Sequence, residues 1–126
     1  MKIIHTDKAP AAIGPYSQAI AAQGFIYTSG QIPLNPQTGA IEAEGIENQT
    51  EQAIQNLKAV LEAAGSSLEN VVKTTCFLQH MSDFAAFNGV YEQYFVGKPA
   101  RSCVEVGALP KGALVEIEAV AVAGEK

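Results

Sequence analysis

The spacing of hydrophobic and polar residues changes repeatedly along this chain, and each change predicts a switch between strand and helix. Alternating or β-branched segments predict strands. In chain order these strands are residues 2–5, 15–21, 25–29, 71–78, 102–106 and 114–122. Hydrophobic residues at helical spacing predict one helix over 46–64 and a second from 82 to 95. The predicted order is therefore β-β-β-α-β-α-β-β, an α+β single domain over residues 1–126 with one mixed sheet and both helices on one face.

Signals at the ends of the predicted elements support this order. Gly65 is placed to end the first helix, and Gly97 and Pro99 stop the second. The run Ser66–Glu69 fits a capping box for one short turn. Proline and glycine within Leu109–Gly112 predict a turn that joins the last two strands into a hairpin.

The last predicted strand carries apolar residues on both of its faces. The face that the helices can cover consists of Val115, Ile117, Ala119 and Ala121. The opposite face consists of Leu114, Glu116, Glu118, Val120 and Val122. Because two helices cover only one side of a sheet, we expect a homo-oligomer that packs sheet against sheet. Such packing would bury part of one glutamate, which is unfavourable unless that carboxyl has a partner or a chemical role.

Composition and charge narrow the class of protein. The chain has 126 residues, 48% of them hydrophobic, with a net charge of −5 and a pI near 4.9. This acidic balance argues against nucleic-acid partners and against anionic membrane surfaces. The N-terminus has no apolar signal core and no run approaches membrane-spanning length, so we expect a soluble, cytoplasmic protein.

The cysteines and histidines do not predict a metal site. Cys76 and Cys103 fall in predicted strands and form no Cys-x-x-Cys pair, while His5 and His80 are far apart in the sequence. Both cysteines are compatible with small buried hydrophobic residues, and we adopt that interpretation for Cys76. A covalent role for Cys103 is disfavoured because no histidine or lysine nearby would lower its pKa.

Arg101 is the only arginine in the chain, and it follows Pro99 at the start of a predicted strand. A planar guanidinium matches a carboxylate or phosphate in a way that a lysine does not, which indicates an anion receptor. By the two-residue period Cys103 and Glu105 share the strand face of Arg101, and the predicted hairpin would place Glu116 or Glu118 on the paired strand. Two interpretations remain open: a structural salt bridge, or a pocket in which arginine holds an anionic substrate and a carboxyl moves a proton.

Ordered motifs along nearly the whole chain add a resemblance to a known family. They are Ala12–Ala19, Thr28–Pro33, Val72–Thr75, Phe87-Asn88, Pro99–Val104, Leu109-Pro110 and Val115–Ala119. The chain resembles the reactive-intermediate deaminase family, also called Rid or YjgF-like. The resemblance implies a chorismate-mutase-like fold and a homotrimer with pockets between subunits.

The same resemblance implies an activity and its residues. Members hydrolyse enamine and imine intermediates, above all 2-aminoacrylate released by pyridoxal-phosphate enzymes, to 2-keto acids and ammonia, without a metal or cofactor. Carried over by motif, Arg101 would bind the substrate carboxylate, Glu116 would position or activate water, and Cys103 would offer its backbone. The remaining pocket residues would be Tyr16, Ser29, Gly30 and Asn88.

One departure from the family pattern and two further functions also follow from the sequence. The run Tyr94–Pro99 is shorter than is usual in the family, which bears on substrate range. A non-catalytic regulatory trimer that binds 2-keto acids would use the same pocket. Ribonuclease or translation-inhibitor activity, attributed to some similar proteins, is opposed by the acidic balance and the single arginine.

Overall fold

The computed structural model describes residues 1–124, and its elements follow the predicted order. The strands are β1 (Lys2–Ile4), β2 (Ala19–Ala22), β3 (Phe25–Thr28), β4 (Val71–Leu78), β5 (Ala100–Glu105) and β6 (Val115–Val122). The helices are α1 (Gly45–Ala63) and α2 (Phe84–Tyr94). The predicted α+β class, a mixed sheet with two helices, is confirmed. Across residues 1–124, neither helix combines the length and the hydropathy needed to cross a membrane.

The six strands form one sheet in the order β1-β2-β3-β6-β4-β5. The last strand, β6, lies inside the sheet and is antiparallel to both of its neighbours, β3 and β4. At the edge, β5 is parallel to β4. Parallel neighbours cannot be joined by a tight turn, so α2 forms the crossover between β4 and β5.

The predicted hairpin of the last two strands is wrong, because β4 lies between β5 and β6. Every second residue of β4 from Thr74 to Leu78 is fully buried, which suits a central strand flanked on both sides. The connection over residues 106–114 contains a 3₁₀ turn at Pro110–Gly112 and is long enough to pass this one strand. Turn residues were therefore identified correctly, but strand pairing was not.

One face of the sheet packs against both helices to form the core. The inward residues of β6 are Val115, Ile117, Ala119 and Ala121, all nearly or fully buried, as the two-residue alternation predicts. They meet the apolar face of α1, which includes Ile54, Leu57, Val60 and Leu61. This packing orients β6 so that Glu116 and Glu118 point to the other side.

The opposite face of the sheet is exposed and partly apolar, as the sequence predicts. Phe25 is 37% exposed, Tyr27 is 47% exposed and Val104 is 44% exposed. Both helices pack on the other face of the sheet. We name the exposed face the open face; Glu116 and Glu118 lie on it, half-buried among their neighbours.

The start of β2 and one predicted cap differ from the prediction for local reasons, and most other element bounds differ from it by one or two residues. β2 begins at Ala19 rather than at residue 15, because the preceding residues form a loop that the Gln18 side chain holds. A 3₁₀ turn does form at Leu68–Asn70, but Ser67 makes no capping hydrogen bond. Instead the Ser66 hydroxyl donates to the Val122 carbonyl at 2.6 Å, which ties this turn to the sheet.

Candidate active site

Arg101 lies on β5 with its side chain directed at α2. Its Nη1 donates to Asn88 Oδ1 at 2.8 Å, and its guanidinium carbon Cζ lies 4.9 Å from the centre of the Tyr91 ring. Among residues 1–124 no carboxylate forms a salt bridge with it. The structural salt bridge that the sequence left open is therefore not made within the described chain. Neutral groups hold the Arg101 guanidinium in place, and its positive charge is available to bind an anion from outside the chain.

The backbone of β5 adds hydrogen-bonding groups beside this guanidinium. Val106 donates its N–H to the Leu78 carbonyl at 2.9 Å, so this residue faces β4. Since successive residues of a strand alternate in direction, the N–H and C=O groups of Arg101 and Cys103 point to the free edge of the sheet. We call Asn88, Arg101 and the Cys103 backbone the arginine cluster.

The two cysteines are neighbours in the sheet, and burial keeps both protonated. Cys76 and Cys103 are register partners on β4 and β5. Burial raises the pKa of Cys76 to about 12, and it also raises the pKa of Cys103, where Arg101 opposes the effect. A thiol with a raised pKa is a weak nucleophile. The Cys103 backbone, rather than its sulfur, is thus the group available to a bound molecule.

Glu116 lies at a cavity of about 390 Å³ formed by the N-terminal loop, the segment 30–34 and the turn before β6. Tyr16 and Gly30 line the same cavity. A Cβ added to Gly30 would overlap Glu116 Oε2, so only glycine lets the carboxylate occupy this place. Burial raises the pKa of Glu116, and the negative charge of Glu118 raises it further. We call Tyr16, Gly30 and Glu116 the glutamate cluster.

Tyr16 and Ser29 are held in place by the loop before β2. Tyr16 is 53% exposed, and its hydroxyl accepts a hydrogen bond from the Ile13 N–H at 3.3 Å. The Ser29 hydroxyl donates to the Ser17 carbonyl at 2.6 Å, so it fastens this loop to the end of β3 beside Gly30. Ser29 therefore supports the wall of the glutamate cluster.

Three buried amide side chains, which the sequence analysis did not single out, fix the loops around this cavity. Gln18 binds the carbonyls of Thr6 and Pro10, and Asn56 Nδ2 donates to the carbonyls of Ile32 and Leu34 at 3.0 and 2.9 Å. Gln49 accepts from the Leu114 N–H at the start of β6 and donates to the Ala43 carbonyl. Gln49 and Asn56 lie on the buried side of α1. A polar residue at the helical spacing of the apolar face is the sequence signal that could have identified them.

The predicted site residues form two separate groups rather than one. Arg101 is the register partner of buried Thr74 and lies on the side of the helices. Glu116 is the register partner of Phe77 and lies on the open face. The expectation that a hairpin places Glu116 opposite Arg101 is therefore wrong: the two side chains of one chain lie on opposite faces of the sheet.

Comparison with known proteins shows what this chain is similar to. It matches the family model "Endoribonuclease L-PSP" over residues 6–123. A RutC family protein of Synechocystis is 61% identical over 125 residues, covering 97% of this chain and 96% of the relative. The 2-iminobutanoate/2-iminopropanoate deaminase of Mus musculus is 51% identical over 124 residues, covering 98% of this chain and 92% of the relative. A candidate regulator of Lactococcus lactis, AldR, is 52% identical over 122 residues, covering 96% and 97%.

Solved structures agree in fold as well as in sequence. A candidate endoribonuclease of Thermotoga maritima superposes with a TM-score of 0.95 at 48% identity, covering 99% of both chains. The TdcF protein of E. coli with bound serine superposes with a TM-score of 0.92 at 46% identity, covering 97% of this chain and 98% of TdcF. The likeness in fold thus extends over nearly the whole chain.

Proposed function

This chain belongs to the endoribonuclease L-PSP family, also known as YjgF, RutC or Rid, and we propose that it is an imine deaminase of the Rid type. Its substrates would be short-lived 2-imino acids and their enamine forms, 2-aminoacrylate among them. Its products would be 2-keto acids and ammonia. The deaminase of Mus musculus supports this proposal through its name and its 51% identity.

The chemistry needs orientation, a held water and proton transfer, and the two clusters offer these. Arg101 binds the substrate carboxylate through parallel N–H donors, next to the free backbone groups of Cys103. Glu116, as a carboxylate, orients water and takes its proton while the oxygen adds to C2 of the C=N bond. That proton passes from Glu116 to nitrogen and gives the 2-amino-2-hydroxy acid. The proton of the new hydroxyl then follows to nitrogen through Glu116, the C–N bond breaks, and ammonia leaves as the keto group forms. An enamine substrate reacts as its imine tautomer, in which a proton has moved from nitrogen to C3.

The two clusters would meet only across a subunit contact. Three observations support this: the clusters lie on opposite faces, the open face is partly apolar, and β5 is a free edge. We therefore propose a homotrimer in which the arginine cluster of one subunit faces the glutamate cluster of the next, as the family resemblance implies. The half-buried carboxylates of Glu116 and Glu118 would then lie next to a neighbouring subunit and contribute to its site.

The observation that carries this proposal is the guanidinium of Arg101, oriented by Asn88 and aromatic rings without a carboxylate partner among residues 1–124. A direct test couples a serine dehydratase to the purified protein and follows loss of 2-aminoacrylate. Acceleration of that loss, with ammonia released in equal amount, supports the proposal. A rate equal to that of the buffer alone would exclude deaminase activity on this substrate.

Replacing Glu118 with glutamine is expected to shift the acid limb of the pH profile of kcat to lower pH. Glu116 must be ionised to accept a proton, and its pKa is raised by burial and by the Glu118 charge. Removing that charge lowers the pKa, although only in part because burial is the larger cause. Steady-state rates measured from about pH 4 to about pH 9 give the shift, because this range includes the pH at which carboxyl groups titrate.

Glu116→Gln serves as the control for this pH experiment. It has no titrating carboxyl at this position, so it should lose both the rate and the acid limb. A raised pKa in the folded state means that stability from this group is present at low pH and is lost as pH rises through that pKa. Glu116→Gln should therefore be at least as stable as the wild type at neutral pH. An unchanged acid limb in Glu118→Gln would contradict the role of Glu116.

Replacing Gly30 with alanine is expected to lower kcat by about 10-fold to 100-fold, since displacing a catalytic group by about 1 Å has effects of that size. The added methyl group would overlap the Glu116 carboxylate, which must move away. Steady-state kinetics with the coupled assay measure the loss. Gly107→Ala, at an exposed glycine with open space around its Cβ position, is the matched control and should keep its rate. Equal rates for both variants would show that the position of this carboxylate does not matter.

The candidate regulator among the relatives favours a second function, a non-catalytic trimer that binds 2-keto acids. The same two clusters would bind the ligand, but water would not be activated. Calorimetric binding of 2-oxobutanoate together with no acceleration of imine hydrolysis would support this alternative. Endoribonuclease activity, which the family model carries in its name, is opposed by the net charge of −5.

A further inference from the structure

Three aromatic rings of α2 lie near the Arg101 guanidinium, and the ring of Tyr91 is closer to it than those of Phe84 and Phe87. Its centre is 4.9 Å from Cζ, compared with 5.5 Å for Phe84 and 6.0 Å for Phe87. These rings and Asn88 recur at spacings of three and four residues, so they share one face of α2. That face surrounds the guanidinium with neutral groups.

Tyr91 itself is fixed on several sides. Only 7% of it is exposed, and its ring is stacked on Phe95 with centres 4.3 Å apart. Its hydroxyl is hydrogen-bonded to Thr74 Oγ1 at 2.7 Å, and Thr74 is fully buried on β4. A buried ring with an anchored hydroxyl has few alternative positions.

Thr74 and Arg101 are register partners on neighbouring strands. A closed set of contacts therefore runs from β4 through the Tyr91 hydroxyl and ring to the guanidinium on β5. The motif Val72–Thr75 therefore supports the arginine cluster through Thr74, although it does not line the cavity at Glu116. Hydroxyl and ring act here on the arginine rather than on the substrate.

We propose that Tyr91, anchored by Thr74, is a positioning residue that holds the Arg101 guanidinium ready to receive the substrate carboxylate. This inference rests on the proposed function of the site. A free arginine side chain samples many rotamers and loses conformational entropy when it binds a ligand. Fixing one rotamer in the unbound protein means that this entropy is not lost in the binding step. Because the carboxylate is bound in the ground state and in the transition state alike, the effect falls on KM rather than on kcat.

Tyr91→Leu, which removes the ring and the hydroxyl, is expected to raise KM by about 10-fold, within the range of a partly desolvated cation–π contact. Its kcat should stay within about twofold of the wild type, since uniform binding does not change the chemical step. Tyr91→Phe keeps the ring but loses the bond to Thr74, and its KM should fall between the two. Leu57→Ala on α1 is the control for a loss of core packing at a buried residue that is not one of the rings around Arg101.

A second measurement does not depend on turnover. Because Arg101 is the only arginine, a nitrogen–proton correlation spectrum contains a single arginine Nε–H signal. In the wild type the Tyr91 ring current should displace this signal from the position of a free arginine side chain. Tyr91→Leu should return it most of the way, Tyr91→Phe should keep the displacement, and Leu57→Ala should leave it unchanged.

These measurements separate failure of the inference from failure of the proposed function. If the wild type hydrolyses no imine, the function is wrong, whereas the arginine signal still reports whether Tyr91 positions the guanidinium. An unmoved Nε–H signal and an unchanged KM in a folded Tyr91→Leu protein would overturn the inference alone. If Tyr91→Leu does not fold, a Tyr91→Phe signal at the position of a free arginine would overturn it equally.

Discussion

Replacing Arg101 with alanine is expected to lower kcat/KM for 2-imino acids by about 100-fold to 1000-fold, the effect of removing one partner of a hydrogen-bonded charge pair. The guanidinium is the only cation in the arginine cluster, and neutral groups hold it in place. Without it, the substrate carboxylate would meet aromatic rings and an amide. Steady-state kinetics with 2-aminoacrylate generated in the coupled assay measure the loss.

Two variants sharpen the interpretation of that result. Arg101→Lys restores the charge but not the planar pair of donors, so it should recover only part of the lost activity. Lys58→Ala on α1 removes the same unit of charge away from both clusters and should leave kcat/KM unchanged. Melting curves test whether Arg101→Ala still folds. Wild-type kcat/KM in a folded Arg101→Ala protein would remove arginine from the proposed mechanism.

The elements of this fold could be predicted from sequence because each depends on local periodicity. The boundaries of β4 were predicted without error, and the alternation along β6 correctly separated core residues from Glu116 and Glu118. Strand neighbours could not be predicted in the same way. β6 pairs with β3 and β4 instead of β5, and these pairings join residues that are distant in sequence.

The site shows the same division between local and distant information. Motifs single out Arg101 and Glu116 as candidate site residues, yet neither motif indicates on which face of the sheet each side chain lies. Tyr91 falls among the hydrophobic residues that predict the helix over 82–95, and aromatic spacing does not distinguish a core ring from one that supports a guanidinium. Such roles become visible only when β5 is placed next to α2.

Mixing two inactive variants is expected to restore activity if the site is shared between subunits. Arg101→Ala chains keep Glu116, and Glu116→Gln chains keep Arg101, so an interface between one of each can hold an intact pair. In a closed trimer assembled at random from equal amounts, roughly a quarter of the interfaces would combine the two intact clusters. Coexpressed variants should therefore regain about that fraction of the wild-type kcat per site, from two nearly inactive parents.

The opposite faces of Arg101 and Glu116 make this restoration the most discriminating result for the assembly. A site completed within one chain would contain at least one altered residue in every subunit, so mixing could not repair it. Coexpression of Arg101→Ala with the double variant that also carries Glu116→Gln is the matched control, because no interface in it has both groups. Native mass spectrometry identifies the mixed trimers. If mixed trimers form and remain as inactive as this control, the two clusters do not act together across subunits. Any catalysis by Glu116 would then not use Arg101 of a neighbouring subunit.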